Sequence, residues 1–307
     1  MSIVCVSYND LAFLKLLFQS LRNQTFHDFE IVVVDNAGNE NVRKYVESFE
    51  TSSKQHIVYV QNDNEGYTGG NIRGVRFGKG DFIFIVNPDT SIAETAIESL
   101  VTDFSRRPDH VMVLVPKIMI RQTDLINSIG MKRIRPSENL YTNIGYLEHD
   151  KGQYDISQEV AAFDGSAFMF RKELLHHTYL FDVRFFFGNE TVDLAERMSN
   201  LGLSAWTCPK AVVRHELRGT VRSSKENDRL ISIIVRNSLI HTLRNTKMSM
   251  FVRTLIIGIL VRNVFGRLAL SRSNSRLAFL YMRGVIMFIL ELGSFAGAVT
   301  YDRKPLK

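Results

Sequence analysis

Cysteine is scarce in this chain of 307 residues: Cys5 and Cys208 are the only two, each in a short apolar, strand-like run. Two such residues make no disulfide framework and read as buried thiols in a reducing compartment. Internal repeats and low-complexity segments are also lacking, which excludes solenoid and biased-composition classes. Long uncharged apolar runs are missing too. The two most apolar late segments, residues 251–270 and 277–299, are broken by Arg253, Arg262 and Arg267 and by Arg283 and Glu291. Central charges are costly in a bilayer, so these segments are expected to lie in a membrane interface, or to pack as a helical subdomain or dimer interface, rather than to span. The first apolar strand coincides with the chain start and leaves no room for a signal peptide, so a cytoplasmic location is expected.

With 45% hydrophobic and 23% charged residues, the balance is that of a globular protein rather than a disordered one. The net charge of +6 is unevenly spread. Residues 221–307 hold 15 Lys and Arg against 4 Asp and Glu, a net +11, whereas residues 1–220 hold 23 against 28, a net −5. A basic, apolar tail on a mildly acidic domain suggests an anionic surface as partner. Ile, Leu, Phe and Val between the arginines favour the inner face of a membrane. Nucleic acid is not expected, because neither an aromatic-basic strand signature nor a recognition helix is evident.

Apolar strands at residues 3–7, 30–35, 57–61, 82–86 and 112–116 alternate with helical patterns at 11–22, 41–52, 70–78 and 95–105. That alternation predicts an α/β fold, a mostly parallel sheet with helices on both faces. Residues 121–160 loosen into an irregular segment of short strands, and residues 161–171 turn into another strand. A helix is expected over 193–201, short strands over 205–208 and 211–215, and helix from 228 onward. The expected division is 1–220 and 221–307.

Four stretches carry chemistry. Residues 64–74 read Asn-Glu-Gly-Tyr-Thr-Gly-Gly-Asn-Ile-Arg-Gly; glycine lets a backbone approach a ligand, and asparagine supplies amide donors and acceptors. An apolar strand then ends in Asn87-Pro88-Asp89, which puts a carboxylate at the strand's C-terminal edge, where open α/β sheets bind ligands. Residues 181–197 read Phe-Asp-Val-Arg-Phe-Phe-Phe-Gly-Asn-Glu-Thr-Val-Asp-Leu-Ala-Glu-Arg, and residues 213–220 Val-Arg-His-Glu-Leu-Arg-Gly-Thr. In this order they resemble the inverting family-two glycosyltransferases of GT-A fold, especially the rhamnosyl- and galactofuranosyltransferase-like members. The resemblance covers roughly the first 220 residues.

It implies transfer of a sugar, with inversion, from a nucleoside diphosphate donor such as dTDP-rhamnose or a UDP-sugar to a hydroxyl of a growing, lipid-linked surface polysaccharide. Ser7, Tyr8 and Asn9 would contact the nucleoside, and Asp35 would accept from a pyrimidine ring N–H. Capping is the plainer role at such a junction, more readily for Asn36 than for Asp35. Asn64, Gly66 and Asn71 would lie along the nucleotide, whereas Tyr67 reads as a packing residue. Asn87 and Asp89 stand where the family carries its metal motif; Asp89 and His215 would hold Mg²⁺ or Mn²⁺, and Arg218, with Arg222, would meet the diphosphate.

Thr191 departs from that pattern, for it stands where the family has its general base, and a threonine hydroxyl is no base near neutral pH. Glu190 is the expected replacement, with Asp193 the other candidate. Asp193 is expected to open a helix, where a carboxylate also caps and complements the dipole. A degenerate transferase that binds a nucleotide or a partner without turnover is the alternative. Homo-oligomerisation through the tail is a further possibility.

Overall fold

The computed structural model describes residues 1–53, 55–135, 140–216, 224–245 and 275–298. The chain opens as β1 (Ser2–Ser7), α1 (Leu11–Arg22), β2 (Glu30–Asp35), α2 (Glu40–Ser53), β3 (Ile57–Gln61), α3 (Gly66–Phe77) and β4 (Phe82–Val86). The first four strands pair in parallel in the order β4-β1-β2-β3. Their contiguous apolar runs follow from burial on both faces. The order reverses between β1 and β4, so the C-terminal ends of these two neighbours flank a crevice of the kind that holds ligands in open α/β sheets.

The chain continues as β5 (Thr90–Ile92), α4 (Ala96–Phe104), β6 (Val111–Ile120), β7 (Ile126–Ser128), β8 (Met131–Arg135), β9 (Leu140–Asn143), β10 (Glu159–Val160), β11 (Ala167–Arg171), α5 (Leu174–His177), α6 (Glu190–Asn200), β12 (Ser204–His215), α7 (Ser224–Asn245) and α8 (Ser275–Ala298). The sheet is mixed rather than mostly parallel. β11 lies antiparallel between β4 and β6, while β12 runs parallel to β6. The register gives the reason. Ala167 pairs with Val86 and Arg171 with Phe82, so β11 enters at the C-terminal end of β4 and runs back down. The segment before β11 therefore stays at the ligand edge and lays Asp164–Ser166 over the end of β4; the Asn87 amide donates to Ser166 O at 2.8 Å.

Two apolar layers clamp the sheet. One holds Leu14, Leu17, Phe18 and Leu21 of α1 with Leu100 and Phe104 of α4. The spacing of the α1 residues places them on one helical face. Burying a side chain such as Phe18 contributes about 2–3 kcal/mol. The other layer holds Val75 of α3 and Leu194 and Met198 of α6. A third cluster joins Phe185 to Val235, Leu239 and Ile240 of α7 and Val285 and Phe288 of α8.

Several sequence-based boundaries shift. α3 begins at Gly66 rather than near residue 70, and α6 at Glu190 rather than Asp193. The two strands expected over 205–215 are one, β12, with a register shift between Cys208 and Val212. The expected helix over 251–270 lies outside the described residues. Among the described residues no helix is long and apolar enough to cross a membrane.

Candidate active site

The strand ends set one wall. Ser7 closes β1 with its hydroxyl buried and without a hydrogen-bond partner. Tyr8 is half exposed, and Asn9 adopts φ +59° at the rim, accepting from the Asn39 amide at 3.2 Å. Asp35 closes β2 fully buried; its carboxylate accepts from the backbone N–H groups of Ala37 at 3.0 Å and Asn39 at 2.7 Å and from the Tyr59 hydroxyl at 2.8 Å. Asp35 thus organises the turn into α2. Asn36, to which capping was more readily assigned, instead donates to Gly66 O at 2.9 Å and accepts from Asn62 at 2.8 Å. It ties the β2 end to the Gly/Asn loop.

In that loop Asn64 accepts from the Gly66 N–H at 3.1 Å, a local turn bond. Gly66 holds φ +73°, and a Cβ there would sit 2.3 Å from Phe186 O, so only glycine fits. A Cβ on Gly74 would lie 2.5 Å from Val4 Cγ1. The sequence reading linked these glycines to ligand approach; in the fold, Gly74 lets α3 lie directly on β1. Asn71, almost fully buried, donates to Tyr67 O at 2.9 Å and leaves its Oδ1 without a partner. Tyr67 packs against Phe181 and donates to Gly165 O at 2.6 Å, in keeping with a packing role.

Asn87, Pro88 and Asp89 bridge β4 and β5, and His215 ends β12 opposite them. His215 Nε2 lies 3.3 Å from Asp89 Oδ1, an ion-pair distance, while neither Asp89 Oδ1 nor His215 Nδ1 has a hydrogen-bond partner. Burial alone would lower the His215 pKa; the Asp89 carboxylate outweighs it and the net shift is upward. Two cis ligands of one octahedral Mg²⁺-sized ion stand about 3 Å apart, so the pair fits a shared divalent cation. Among the described residues no cluster of three or more His, Cys, Asp or Glu is suited to hold a metal alone, so other donors must complete a shell. Arg218 and Arg222 lie outside the described residues.

The opposite wall is α6. Glu190, its first residue, is 6% exposed and its Oε2 has no hydrogen-bond partner. Burial pushes its carboxyl pKa up to about 7, against a downward pull from the backbone N–H groups of Glu190 and Gly188, with a small upward push from Asp164. One turn on, Asp193 is fully buried but bonded, to Arg197 at 2.9 Å and beside His241 at 3.8 Å and Arg244 at 3.9 Å. Burial would raise its pKa; the His241 hydrogen bond and the charges of Arg197 and Arg244 prevail and hold it well below the carboxylate range. Thr191 is buried between them.

Asp164 is a site residue that the sequence motifs do not mark. Its charge raises the pKa of both His215 and Glu190, and its carboxylate accepts from the Ser166 N–H at 2.8 Å. The available signal was the Asp-Gly turn just before an apolar strand.

Residues 2–178, more than half of the chain, match Glycosyl transferase family 2. The chain belongs to that family. The low-salt glycan biosynthesis hexosyltransferase Agl10 of Haloferax volcanii is 24% identical over 213 residues, 68% of this chain and 64% of that protein. The chondroitin synthase of Escherichia coli is 24% identical over 243 residues, 70% of this chain and 34% of that one. The chain thus spans less than two thirds of the length of these curated relatives. Among solved structures, GalNAc-T7 with UDP, GalNAc and Mn²⁺ superposes with a TM-score of 0.66 at 16% identity, covering 98% of this chain and 57% of the other. The mannosyltransferase PcManGT of Pyrobaculum calidifontis, in complex with GDP-Man and Mn²⁺, gives 0.57 at 14% identity, covering 95% and 87%. The fold is GT-A.

Proposed function

We propose that the chain transfers a sugar, with inversion, from a nucleoside diphosphate sugar to an acceptor hydroxyl, with Glu190 as general base. The observation that carries this reading is Glu190 itself: a buried carboxylate beside Gly165, with an unpartnered oxygen and a pKa near neutrality. A base acts best when its pKa lies near the working pH. The ionised carboxylate takes the acceptor proton as the hydroxyl oxygen attacks the anomeric carbon, and the bond to the diphosphate breaks on the opposite side. Asp193, already engaged by Arg197, serves to fix α6 rather than to move a proton.

Ser7, Asn71 and the turn ordered by Asp35 form the nucleoside wall in this reading, with Asn64 and Gly66 along the donor and Tyr8 and Asn9 at its rim. Asp89 and His215 would hold a divalent cation, Mg²⁺ or Mn²⁺, with Asn87 beside them. When bound, it supplies positive charge to the leaving diphosphate. Arg218 is assigned to the diphosphate by motif alone. GalNAc-T7 is solved with UDP and PcManGT with GDP-Man, which supports a nucleotide-linked donor without choosing among dTDP-rhamnose, UDP-galactofuranose and other UDP-sugars.

In this reading residues 1–220 form the transferase domain and residues 221–307 rest on the inner face of an anionic membrane, near a lipid-linked glycan acceptor. The net +11 of that region supports it, as do Phe279, Ile286, Ile289 and Leu290 exposed on α8. The test is nucleotide release from UDP-glucose, UDP-galactose, UDP-galactofuranose, UDP-GlcNAc, GDP-mannose and dTDP-rhamnose, with and without Mn²⁺, for wild type and Glu190→Gln. Turnover lost in Glu190→Gln supports the reading. A wild type that binds nucleotide but never turns over, and gains activity on Thr191→Asp, makes the chain a degenerate binding module instead.

A further inference from the structure

Residues 182–189, which lead into Glu190, form no helix or strand, and their path is unusual at its end. Gly188 has φ +88° and Asn189, a residue with a Cβ, φ +71°. Glycine adopts positive φ freely, but the left-handed region is sparsely populated for a residue with a Cβ, and such a conformation is held by its surroundings. The surroundings here are α7, some 50 residues further along the chain. The Asn237 amide is fully buried and donates to two successive carbonyls, Phe187 O at 3.0 Å and Gly188 O at 2.9 Å. Its Oδ1 accepts from Arg236 Nη1 at 2.9 Å, and the same Nη1 donates to Arg184 O at 2.8 Å. Next along α7, Ser238 Oγ accepts from Asn189 Nδ2 at 3.0 Å. Phe185, in the middle of the segment, is packed in the apolar cluster of α7 and α8.

Each hydrogen bond is modest alone, but one fully buried side chain makes both, so the half-buried Phe187 and Gly188 carbonyls lose this donor together if it is removed. We propose that Asn237 is a positioning residue for the sugar transfer: through its paired bonds to the 187–188 backbone it holds the left-handed turn that aims the Glu190 carboxylate into the cleft. The inference rests on the reading of Glu190 as base. The groups facing Glu190 are Tyr67 of α3 and Asp164 before β11; on α7, His241 and Arg244 face Asp193, Arg236 pairs with Glu291 of α8, and Arg229 lies over the Phe186 ring. Release of the turn would let water reach Glu190 and return its titration toward that of an ordinary carboxyl.

The test uses the full chain. Wild type, Asn237→Ala, Ser238→Ala and Glu190→Gln are compared by circular dichroism and by nucleotide release from the sugar donors named above, across pH. In parallel, ¹³C-carboxyl NMR follows Glu190, its signal assigned by its loss in Glu190→Gln. The expected result is a folded Asn237→Ala whose kcat falls tenfold or more, whose affinity for the nucleotide stays within about twofold, and whose Glu190 titrates at least one pH unit lower. Ser238→Ala should move the same way by less. If Asn237→Ala does not fold, Ser238→Ala decides by the same readouts. Glu190 titrating as in wild type with kcat within twofold, while Glu190→Gln is inactive, overturns the positioning role and leaves the base assignment standing. An active Glu190→Gln overturns the base assignment, and the role of Asn237 in transfer with it.

Discussion

The strand-end wall and the α6 wall reach the same cleft by different means. On the first, chain neighbours shape the turns, since Asp35 bonds Ala37 and Asn39 and Asn64 bonds Gly66, and Asn36 ties the turns together through Gly66. On the second, the backbone before Glu190 depends on α7, and Asp193 is held by Arg197 together with His241 and Arg244 of α7. The contrast is sharpest within α6. Two carboxylates one turn apart, both buried, are driven in opposite directions. Glu190 meets little that favours its charge and its pKa rises; Asp193 meets a histidine hydrogen bond and two arginines and its pKa falls. Burial is shared, and the difference lies in the partners.

The largest expected effect breaks the contrast at Glu190. Glu190→Gln should lower turnover about 10² to 10⁴-fold with donor affinity nearly unchanged. Wild-type activity should rise with pH through about 7, as the base ionises. Stability should move the other way. A carboxyl whose folded pKa lies above its unfolded value favours the folded state fully below the unfolded pKa, and that contribution is lost as pH rises toward 7. Thermal melts at pH 8 should therefore find Glu190→Gln more stable than wild type, by up to about 3 kcal/mol, and the gap should close at pH 4. A gap that is the same at both pH values would break the argument.

Asp193→Asn attacks the opposite pole. It leaves the largely buried Arg197 and its α7 partners without their fully buried carboxylate, and removing one member of such a pair costs up to about 3–5 kcal/mol. Chemical denaturation should show that loss at neutral pH. Because the Asp193 pKa is depressed, the wild-type advantage should shrink as pH falls below the ordinary carboxylate range. A variant as stable as wild type would mean the network is ornamental.

Smaller effects probe the strand-end wall. Gly74→Ala brings a Cβ within 2.5 Å of Val4 Cγ1 and should cost about 1–3 kcal/mol by overpacking, read as a drop in the melting temperature. Tyr59→Phe removes one of three donors to Asp35, and a loss of about 1 kcal/mol is expected. Nucleotide affinity measured on that variant by calorimetry should change little, because the two backbone donors still fix Asp35. A large loss of affinity would mean that the Tyr59 bond, and not the turn, sets the site.

The β1–β4 alternation of strands and helices was legible in the sequence because parallel strands buried on both faces must be apolar throughout. Asp35, Asn87 and Asp89 were legible because each marks where such a run stops. Local pattern could not reveal the antiparallel β11, since its direction follows from where the preceding irregular segment leaves the chain, and with it went Asp164. Nor could it separate Glu190 from Asp193, two acids in one short stretch. Their ionisation is decided by side chains from Arg197 to Arg244, and the turn before Glu190 by Asn237, about 50 positions away. Burial and charge pairing are properties of three-dimensional neighbours, and for these residues only the tertiary fold supplies them.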